Sequence, residues 1–286
     1  CVIPSVHISR ENVETIKEYT RKIAEEMHVQ GLMNMQYAIE NGKVFVLEAN
    51  PRASRTVPLV SKVCNVRMVP IATEIITREL TGKESPVPAL EEKVIPYYGV
   101  KEAAFPFNMF PEVDPLLGPE MRSTGEVLGL SESYGEAFYK AQEAVQSKLP
   151  LSGTVLISVN RKDKAEVVEV AKLFHENNFR IIATEGTCQL INEAGIPAEK
   201  VKKLCEGRPN VLDEITNGKV DIIVNSPVGK DSVYDDSYLR KAAIKGRIPY
   251  CTTMAAAMAA ATGIHAVNNL DGGKIASLQE LHSRIK

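Results

Sequence analysis

The chain has 286 residues and the composition of an ordinary globular protein, with 44% hydrophobic and 24% charged residues. At about 100–200 residues per domain, this length allows two domains with hydrophobic cores. The 34 basic and 36 acidic residues give a formal net charge of −2, which excludes bulk nucleic-acid binding because that requires a basic surface. No apolar run approaches the roughly 20 residues of a membrane span, so neither an anchor nor a secretory signal is expected.

The first predicted elements are a helix and a hairpin. Ser9 has the side chain of an N-cap, and apolar residues then recur at helical spacing, which predicts an amphipathic helix over residues 10 to 28. Two β-like runs follow, Leu32 to Ile39 and Lys43 to Ala49, on either side of Asn41-Gly42. Asn-Gly between two such runs is the strongest short signal for a hairpin.

The middle of the chain is rich in proline. A helix is predicted over 68 to 80, with Gly82 at its end. From residue 83 to residue 119, prolines at seven positions forbid long regular elements. Only Val100 to Phe107 is expected to form a strand there, so this part should wrap a domain rather than build its centre.

A domain boundary is predicted after the next helix, which should cover residues 134 to 147. Leu149 to Gly153 is the best linker in the sequence. We therefore predict one domain over residues 1–150 and a second over 151–286.

Beyond the linker, strand-like and helical stretches alternate. Continuous β-branched runs separated by helices indicate a parallel sheet covered on both faces, so the second domain should be a flavodoxin-like or methylglyoxal-synthase-like α/β domain. Strands are expected at 154–159, 179–184, 220–225 and 248–251, and helices at 163–177, 187–194, 210–217, 235–246 and 254–262.

The cysteines are Cys1, Cys64, Cys188, Cys205 and Cys251. An odd number without a C-x-x-C pair argues against a disulfide framework or a zinc site and favours the reducing cytoplasm. Because the sequence opens on Cys1 rather than Met, we interpret it as a piece of a longer protein.

The first candidate site lies in and just after the hairpin. Glu48 and Asn50 are two residues apart on a strand, so their side chains leave the same face, and hard oxygen ligands of this kind suit Mg²⁺. Arg52 and Arg55 follow the strand and could donate to phosphate or carboxylate. The alternative is a surface ion-pair cluster at a strand end, which contributes little.

Gln36 can join this site only if the hairpin is irregular. A plain two-residue turn at Asn41-Gly42 would place Gln36 opposite Leu47 and on the other face from Glu48. An odd loop or a β-bulge would bring Gln36 opposite Glu48. We predict that irregularity.

Two long stretches resemble a known family. GLMNMQYAIENGKVFVLEANPRASRTVPLVSK, residues 31–62, resembles the end of an ATP-grasp domain in the large subunit of carbamoyl-phosphate synthetase, and YYGVKEAAFPFNMFPEVDPLLGPEMRSTGEVLG, residues 97–129, resembles the same family. In that family, two ATP-grasp halves make carboxyphosphate from bicarbonate and phosphorylate carbamate, and a methylglyoxal-synthase-like effector domain follows the second. The resemblance therefore implies a partial ATP-grasp α+β domain followed by a methylglyoxal-synthase-like α/β domain.

The resemblance also implies roles for the hairpin residues, with ATP as substrate and Mg²⁺ or Mn²⁺ as the metal. It implies that a glycine-rich loop of the ATP site lies before Cys1, so that this chain alone holds half a site and is expected to be inactive. The implied metal ligands are Gln36, Glu48 and Asn50, and the implied catalytic residues at the phosphate site are Arg52 and Arg55.

The second candidate site is the segment Thr184-Glu185-Gly186-Thr187, which follows a predicted strand and opens a helix. Free backbone N–H groups at a helix N-terminus favour an anion, although a plain turn with an N-cap explains the same residues. The resemblance implies a pocket for a UMP- or IMP-like effector, made by Lys164, Thr184, Gly186, Thr187, Lys203 and Asn225. Pro227 departs from the hydroxyl residue expected after Asn225-Ser226, which leaves the effector's identity open.

A third set is implied by the resemblance alone. Glu126, Tyr250 and Thr252 match positions that bind the activator ornithine, although Glu126 by itself reads as a solvated carboxylate. The family further implies a glutaminase small subunit as partner, a homo-oligomer, and a role in pyrimidine and arginine biosynthesis. Two rival functions stay open: a non-catalytic nucleotide-binding and assembly fragment, and a small lyase resembling methylglyoxal synthase.

Overall fold

In the computed structural model, the chain forms two compact units. The first unit contains Val2–Gly99 and Ile275–Lys286, and the second contains Cys1 and Val100–Lys274. The structure describes residues 1–82, 90–110, 117, 120–226, 233–269 and 275–285.

The first unit is built from helices and a hairpin. Its elements are β1 (Val2–Ile3), α1 (Arg10–Glu26), β2 (Asn34–Glu40), β3 (Lys43–Asn50), α2 (Thr56–Cys64), α3 (Met68–Thr81) and α10 (Leu278–His282). Ser9 caps α1 as predicted, since its Oγ accepts the N–H of Asn12 at 3.3 Å. Gly82 ends α3 in the left-handed conformation, with φ 62°.

The hairpin has the predicted turn and the predicted irregularity. Asn41 and Gly42 have φ of 50° and 76°, as a type I′ turn requires. Near the turn the strands pair regularly, but the register shifts between Gln36 and Tyr37, so that Tyr37 faces Val46 and Gln36 faces Glu48. Leu47 is the extra residue of this bulge.

Helix α2, which the sequence analysis missed, is short and includes Pro58. Its C-terminal carbonyls accept hydrogen bonds from distant parts of the first unit. The Tyr97 hydroxyl donates to the carbonyl of Val63 at 2.6 Å, Lys93 donates to that of Asn65 at 3.0 Å, and the His282 ring bonds that of Lys62 at 2.6 Å. These bonds satisfy carbonyls that a helix end leaves without intrahelical partners.

The second unit contains the parallel sheet. The strands of the second unit are β5 (Gly125–Ser131), β6 (Gly153–Ser158), β7 (Phe179–Thr184), β8 (Ala198–Val201), β9 (Ile222–Asn225) and β10 (Tyr250–Cys251), and all of these except β5 belong to the parallel sheet. Its helices are α4 (Tyr134–Ala144), α5 (Val167–Glu176), α6 (Glu185–Glu193), α7 (Val211–Thr216), α8 (Val233–Gly246) and α9 (Met254–Asn269). Strand β4 (Tyr98–Ala104) crosses the boundary between the units, and it agrees with the strand expected in the proline-rich region. The prolines at 86, 88, 111, 115 and 119 lie outside the described residues.

Five strands form the sheet in the order β10-β9-β6-β7-β8, and all their pairings are parallel. The chain moves outward from β6 to β7 and β8 and then returns to β9 on the other side of β6. The C-terminal ends of β6 and β9 therefore meet at the point where the strand order reverses, which is where open α/β sheets bind ligands.

Both faces of this sheet are covered, as predicted. One face packs Val155, Ile157 and Ile181 against residues of α5 and α9, including Phe174 and Ile264. The other face packs Leu156, Ile182 and Ile223 against α7 and α8. Successive strand residues are therefore buried on opposite faces of the sheet, which explains why each strand is a continuous apolar run in the sequence.

Helix α9 continues past residue 262, where the sequence predicted its end. Gly263 lies inside the helix, and a Cβ there would stand 3.1 Å from the carbonyl oxygen of Gly135 in α4. The glycine thus serves close packing of two helices and not helix termination.

The division into compact units falls at residues 99 and 274, away from the predicted linker at 149–153. The reason lies in α4, whose Tyr139 joins the core of the parallel sheet and whose backbone packs closely on α9. The domain boundary between 150 and 151 stays a prediction. Within the described part of the chain, no helix is long and apolar enough to cross a membrane.

Candidate functional site

The shifted register collects four polar side chains on one face of the hairpin. Gln36 lies directly opposite Glu48, and Asn34 lies directly opposite Asn50. Directly opposed residues share a face, with Cβ atoms about 4.5–5.5 Å apart. The three predicted residues therefore share one face, and Asn34 adds a fourth polar side chain, a third amide, that the sequence analysis did not single out.

The opposite face of the hairpin lies against α1. The hydroxyl of Tyr37 is 2.6 Å from the hydroxyl of Thr20 and donates to the carbonyl of Ile16 at 3.4 Å. Because neighbouring residues on a strand point to opposite faces, Gln36 and Glu48 point away from α1. Both are exposed, and Asn50 is half-buried.

The four side chains fit a magnesium ion but not a metal that prefers nitrogen or sulfur. Among the described residues, no group of three or more His, Cys, Asp or Glu side chains could hold a metal. Glu48 supplies one carboxylate, and the amides supply neutral oxygens. Mg²⁺ commonly takes one or two protein carboxylates and completes its shell with water and phosphate oxygens, so the chemistry of this donor set is compatible with Mg²⁺ when a nucleotide brings further ligands.

The two arginines follow the hairpin at the start of α2. The backbone N–H of Arg52 donates to the carbonyl of Asn50 at 2.8 Å, and its guanidinium donates to the carbonyl of Ala53 at 3.0 Å. Arg55 is the N-cap residue of α2, and both arginine side chains are exposed. The alternative interpretation is a surface ion-pair cluster of Glu48 with both arginines. In the structure, the Arg52 guanidinium donates to the neighbouring backbone.

A second polar cluster lies at the C-terminal ends of the central strands in the second unit. The Thr184 hydroxyl donates to that of Ser158 at 3.3 Å. The backbone N–H of Ser226 donates to the carbonyl of Ser158 at 3.1 Å, and the hydroxyl of Ser226 accepts the N–H of Asn160 at 3.0 Å. Asn225, the last residue of β9, is 4% exposed.

The predicted anion-binding turn has the expected geometry. Strand β7 ends at Thr184 and helix α6 begins at Glu185. Thr184 makes no capping hydrogen bond with its side chain, which argues against a plain N-cap. A Cβ added to Gly186 would stand 3.0 Å from the Nζ of Lys164, so the ammonium lies over the first turn of α6, where backbone N–H groups and the helix dipole favour an anion. Thr187, 2% exposed, is in the same turn.

Glu185 would repel an anion at this turn, but its charge is offset. Its carboxylate pairs with Lys200 of β8. This hydrogen bond holds the pKa of Glu185 below its ordinary value and raises the pKa of Lys200. Lys203, the remaining predicted member of this site, is exposed and follows β8 at the edge of the sheet. Pro227 lies outside the described residues.

The third predicted set is divided between two places in the second unit. Tyr250 and Thr252 line a cavity of about 310 Å³. Glu126 instead pairs with Lys101 at 3.4 Å, and the cavity's carboxylate is Glu102. The cavity wall also contains Phe105, Phe107, Arg240 and Arg247.

Sequence reasoning missed several residues of the candidate sites, and of these only Asn34 could have been found from the sequence. Asn34 follows from the predicted bulge, because the same shift that pairs Gln36 with Glu48 pairs Asn34 with Asn50. Ser158 ends β6 and Ser226 follows β9. These strands are neighbours in the sheet, but the strand order cannot be predicted from the sequence. Glu102 had no local signal.

Comparison with known families gives two matching family models. The model described as the ATP binding domain of the carbamoyl-phosphate synthase L chain matches residues 1–80, which contain the hairpin and the arginines. The model described as an MGS-like domain matches residues 166–252, which contain the turn at residues 184–187. An ATP-binding region followed by an MGS-like region defines the class of protein.

Whole-chain relatives narrow this class. The carbamoyl phosphate synthase large chain of Archaeoglobus fulgidus is 47% identical over 284 residues, covering 99% of this chain and 26% of that protein. The C-terminal section of the large chain in Methanocaldococcus jannaschii is 45% identical, with 100% and 47% covered. A large chain of Methanosarcina barkeri is 40% identical, with 100% and 71% covered. The chain belongs to the carbamoyl phosphate synthase large-chain family, and it spans about a quarter of the length of the Archaeoglobus relative.

Proposed function

We propose that this chain is the part of a carbamoyl phosphate synthase that completes the site for ATP-dependent phosphorylation of carbamate. Gln36, Glu48 and Asn50 would hold Mg²⁺ or Mn²⁺, and Asn34 stands beside them. When bound, the metal would neutralise charge on the ATP phosphates. The observation that supports this proposal most is the bulge that turns Gln36 to the face of Glu48.

The protein's own groups would act by position and charge. Arg52 and Arg55 would donate hydrogen bonds to the transferring phosphoryl group and offset its charge, as basic residues do in phosphoryl transfer. Glu48 and the amides would fix the place of the nucleotide phosphates. This mechanism needs no covalent intermediate on the protein.

The whole enzyme would need more than this chain. A glutaminase small subunit would supply ammonia, and the product would feed pyrimidine and arginine biosynthesis. The chain spans about a quarter of the Archaeoglobus relative, so the adenine-binding part of the site would come from the rest of the enzyme, and we expect this chain alone to be inactive.

A second function is supported by the polar cluster in the second unit. Lys164, Thr184, Gly186 and Thr187 would bind the phosphate of a UMP- or IMP-like effector. Asn225 would contact the rest of the nucleotide, and Lys203 would complete the pocket. All of these residues lie in one compact unit, so this chain could act as a binding module without turnover. Ornithine would be a candidate ligand for the cavity at Tyr250 and Thr252.

Separate calorimetric titrations with ATP-Mg²⁺ and with UMP test these proposals. Heat from both ligands supports an ATP half-site together with an effector site. Heat from UMP alone supports the binding module and counts against the hairpin as a metal-nucleotide site. Heat from neither ligand contradicts both functions.

A further inference from the structure

The hydroxyl of Tyr250 reaches the anion-binding cluster from the strand next to it. Strand β10 pairs with β9 in parallel, with Tyr250 opposite Ile223. The side-chain amide of Asn225 donates to the Tyr250 hydroxyl at 2.6 Å. Asn225 is 4% exposed, so its amide has little freedom to exchange this bond for water.

This bond constrains how the Asn225 side chain is presented. An amide has a donor end and an acceptor end. Because the amide nitrogen is bonded to the Tyr250 hydroxyl, the directions open to the carbonyl oxygen of Asn225 are restricted. Asn225 ends β9, and its direct partner in the sheet is Ser158, which ends β6. The orientation of Asn225 thus depends on a residue outside the cluster.

Tyr250 also forms part of the wall of the 310 Å³ cavity. One side chain therefore touches both the cavity and the polar cluster. A ligand that moves Tyr250 in the cavity would disturb Asn225, and a ligand that holds Asn225 would resist that movement. Such coupling must be reciprocal.

We propose that Tyr250 is a positioning residue of the nucleotide site, which it orders through Asn225. The inference rests on the proposed binding of a nucleoside monophosphate to the second unit. Phosphate alone would be held by Lys164, Thr187 and the N-terminus of α6, and these groups lie at the end of β7, away from β10 in the sheet order. Tyr250 should therefore matter for the nucleotide and not for inorganic phosphate.

The test is the affinity of UMP and of inorganic phosphate for the chain and for Tyr250→Phe, measured by calorimetry. The variant keeps the ring and removes the hydroxyl. One lost hydrogen bond predicts UMP binding weakened about twofold to tenfold, with phosphate binding unchanged. Tyr238→Phe is the control, because Tyr238 is 60% exposed on α8, and it should bind both ligands as the unsubstituted chain does.

A double-mutant cycle with Asn225→Ala tests the route. If Tyr250 acts through Asn225, Tyr250→Phe should have no further effect on UMP affinity in the Asn225→Ala background. Equal UMP affinity in Tyr250→Phe and the unsubstituted chain, or equal losses of UMP and phosphate affinity, would overturn the positioning role alone. Failure of the unsubstituted chain to bind UMP would overturn the proposed effector function together with it.

Discussion

Among the four polar side chains of the candidate metal site, Glu48 carries the negative charge. The three amide side chains around it are neutral, so the carboxylate supplies the electrostatic attraction for a divalent cation. The amides supply additional oxygens and direction. A metal would therefore depend on Glu48 more than on any single amide.

Replacing Glu48 with Gln should weaken Mn²⁺ binding in the presence of ATP by at least about tenfold, since even outer-shell partners of metal ligands are worth about 10–100-fold. Glu40→Gln is the matched control, because Glu40 lies on the same face of β2 at the turn end of the hairpin. Electron paramagnetic resonance of free Mn²⁺ measures both. Similar affinities for the two variants would remove Glu48 from the metal site.

Gly186 leaves room for the ammonium of Lys164 over the first turn of α6. An alanine Cβ at this position would stand 3.0 Å from the Lys164 Nζ, so the flexible lysine must move. Gly186→Ala should lower phosphate affinity about threefold or more by displacing one charge-assisted hydrogen bond, with little change in the thermal unfolding temperature.

Gly125→Ala serves as its control, because a Cβ there would meet the Ala104 Cβ at an ordinary 3.9 Å. Calorimetry with inorganic phosphate measures both variants. Phosphate affinity in Gly186→Ala equal to that of the control would show that Lys164 does not contact the anion.

At the scale of elements, α2 connects the arginines to distant parts of the first unit. Arg55 is its N-cap, and its C-terminal carbonyls bond Lys93, Tyr97 and His282. The helix has only nine residues, which is too short to be stable by itself in water. Its position therefore depends on tertiary contacts, which are these bonds and the burial of Val57, Leu59 and Val63.

His282→Ala should loosen the end of α2. Loss of its bond to the carbonyl of Lys62 is expected to cost about 1 kcal/mol and to speed amide hydrogen exchange in α2. His175→Ala, at an exposed position of α5 in the second unit, should leave that exchange unchanged. Unchanged exchange in His282→Ala as well would mean that α10 does not hold the helix.

The hairpin shows how far local sequence patterns reach. Asn41-Gly42 predicts the turn, and the need to bring Gln36 opposite Glu48 predicts the bulge. Both features depend on residues that are close together in the sequence. Helix α2 was missed because it is short and contains Pro58, and its stability comes from residues 28 or more positions away. The pairing of Glu126 with Lys101, and the place of Glu102 in the cavity, depend likewise on tertiary contacts that no periodicity reports.

At the scale of the whole molecule, the two units carry thiols in different environments. Cys251 is buried in the second unit, and burial raises its pKa to about 12. Cys64, in the first unit, is less buried, and burial raises its pKa as well. Because the thiolate is the reactive form, these two cysteines report on opening of the two units.

Phosphate should protect Cys251 and not Cys64. A ligand that binds only the folded second unit stabilises it by mass action, so alkylation of Cys251 at pH 8 should slow in proportion to phosphate occupancy. Mass spectrometry of alkylated peptides measures both sites, and equal protection of both cysteines would contradict the assignment of the anion site to the second unit.

Raising the pH above the unfolded thiol's pKa of about 8.5 should destabilise the second unit, because the unfolded thiol of Cys251 ionises while the folded one stays protonated.

The hairpin of the first unit is tested most directly by paramagnetic broadening with Mn²⁺ and ATP. In a nuclear magnetic resonance titration of the labelled chain, the side-chain amides of Gln36 and Asn50 should broaden together at the lowest Mn²⁺ concentrations, with the backbone amide of Glu48. Broadening of Asn50 without Gln36 would contradict a shared metal face across the bulge.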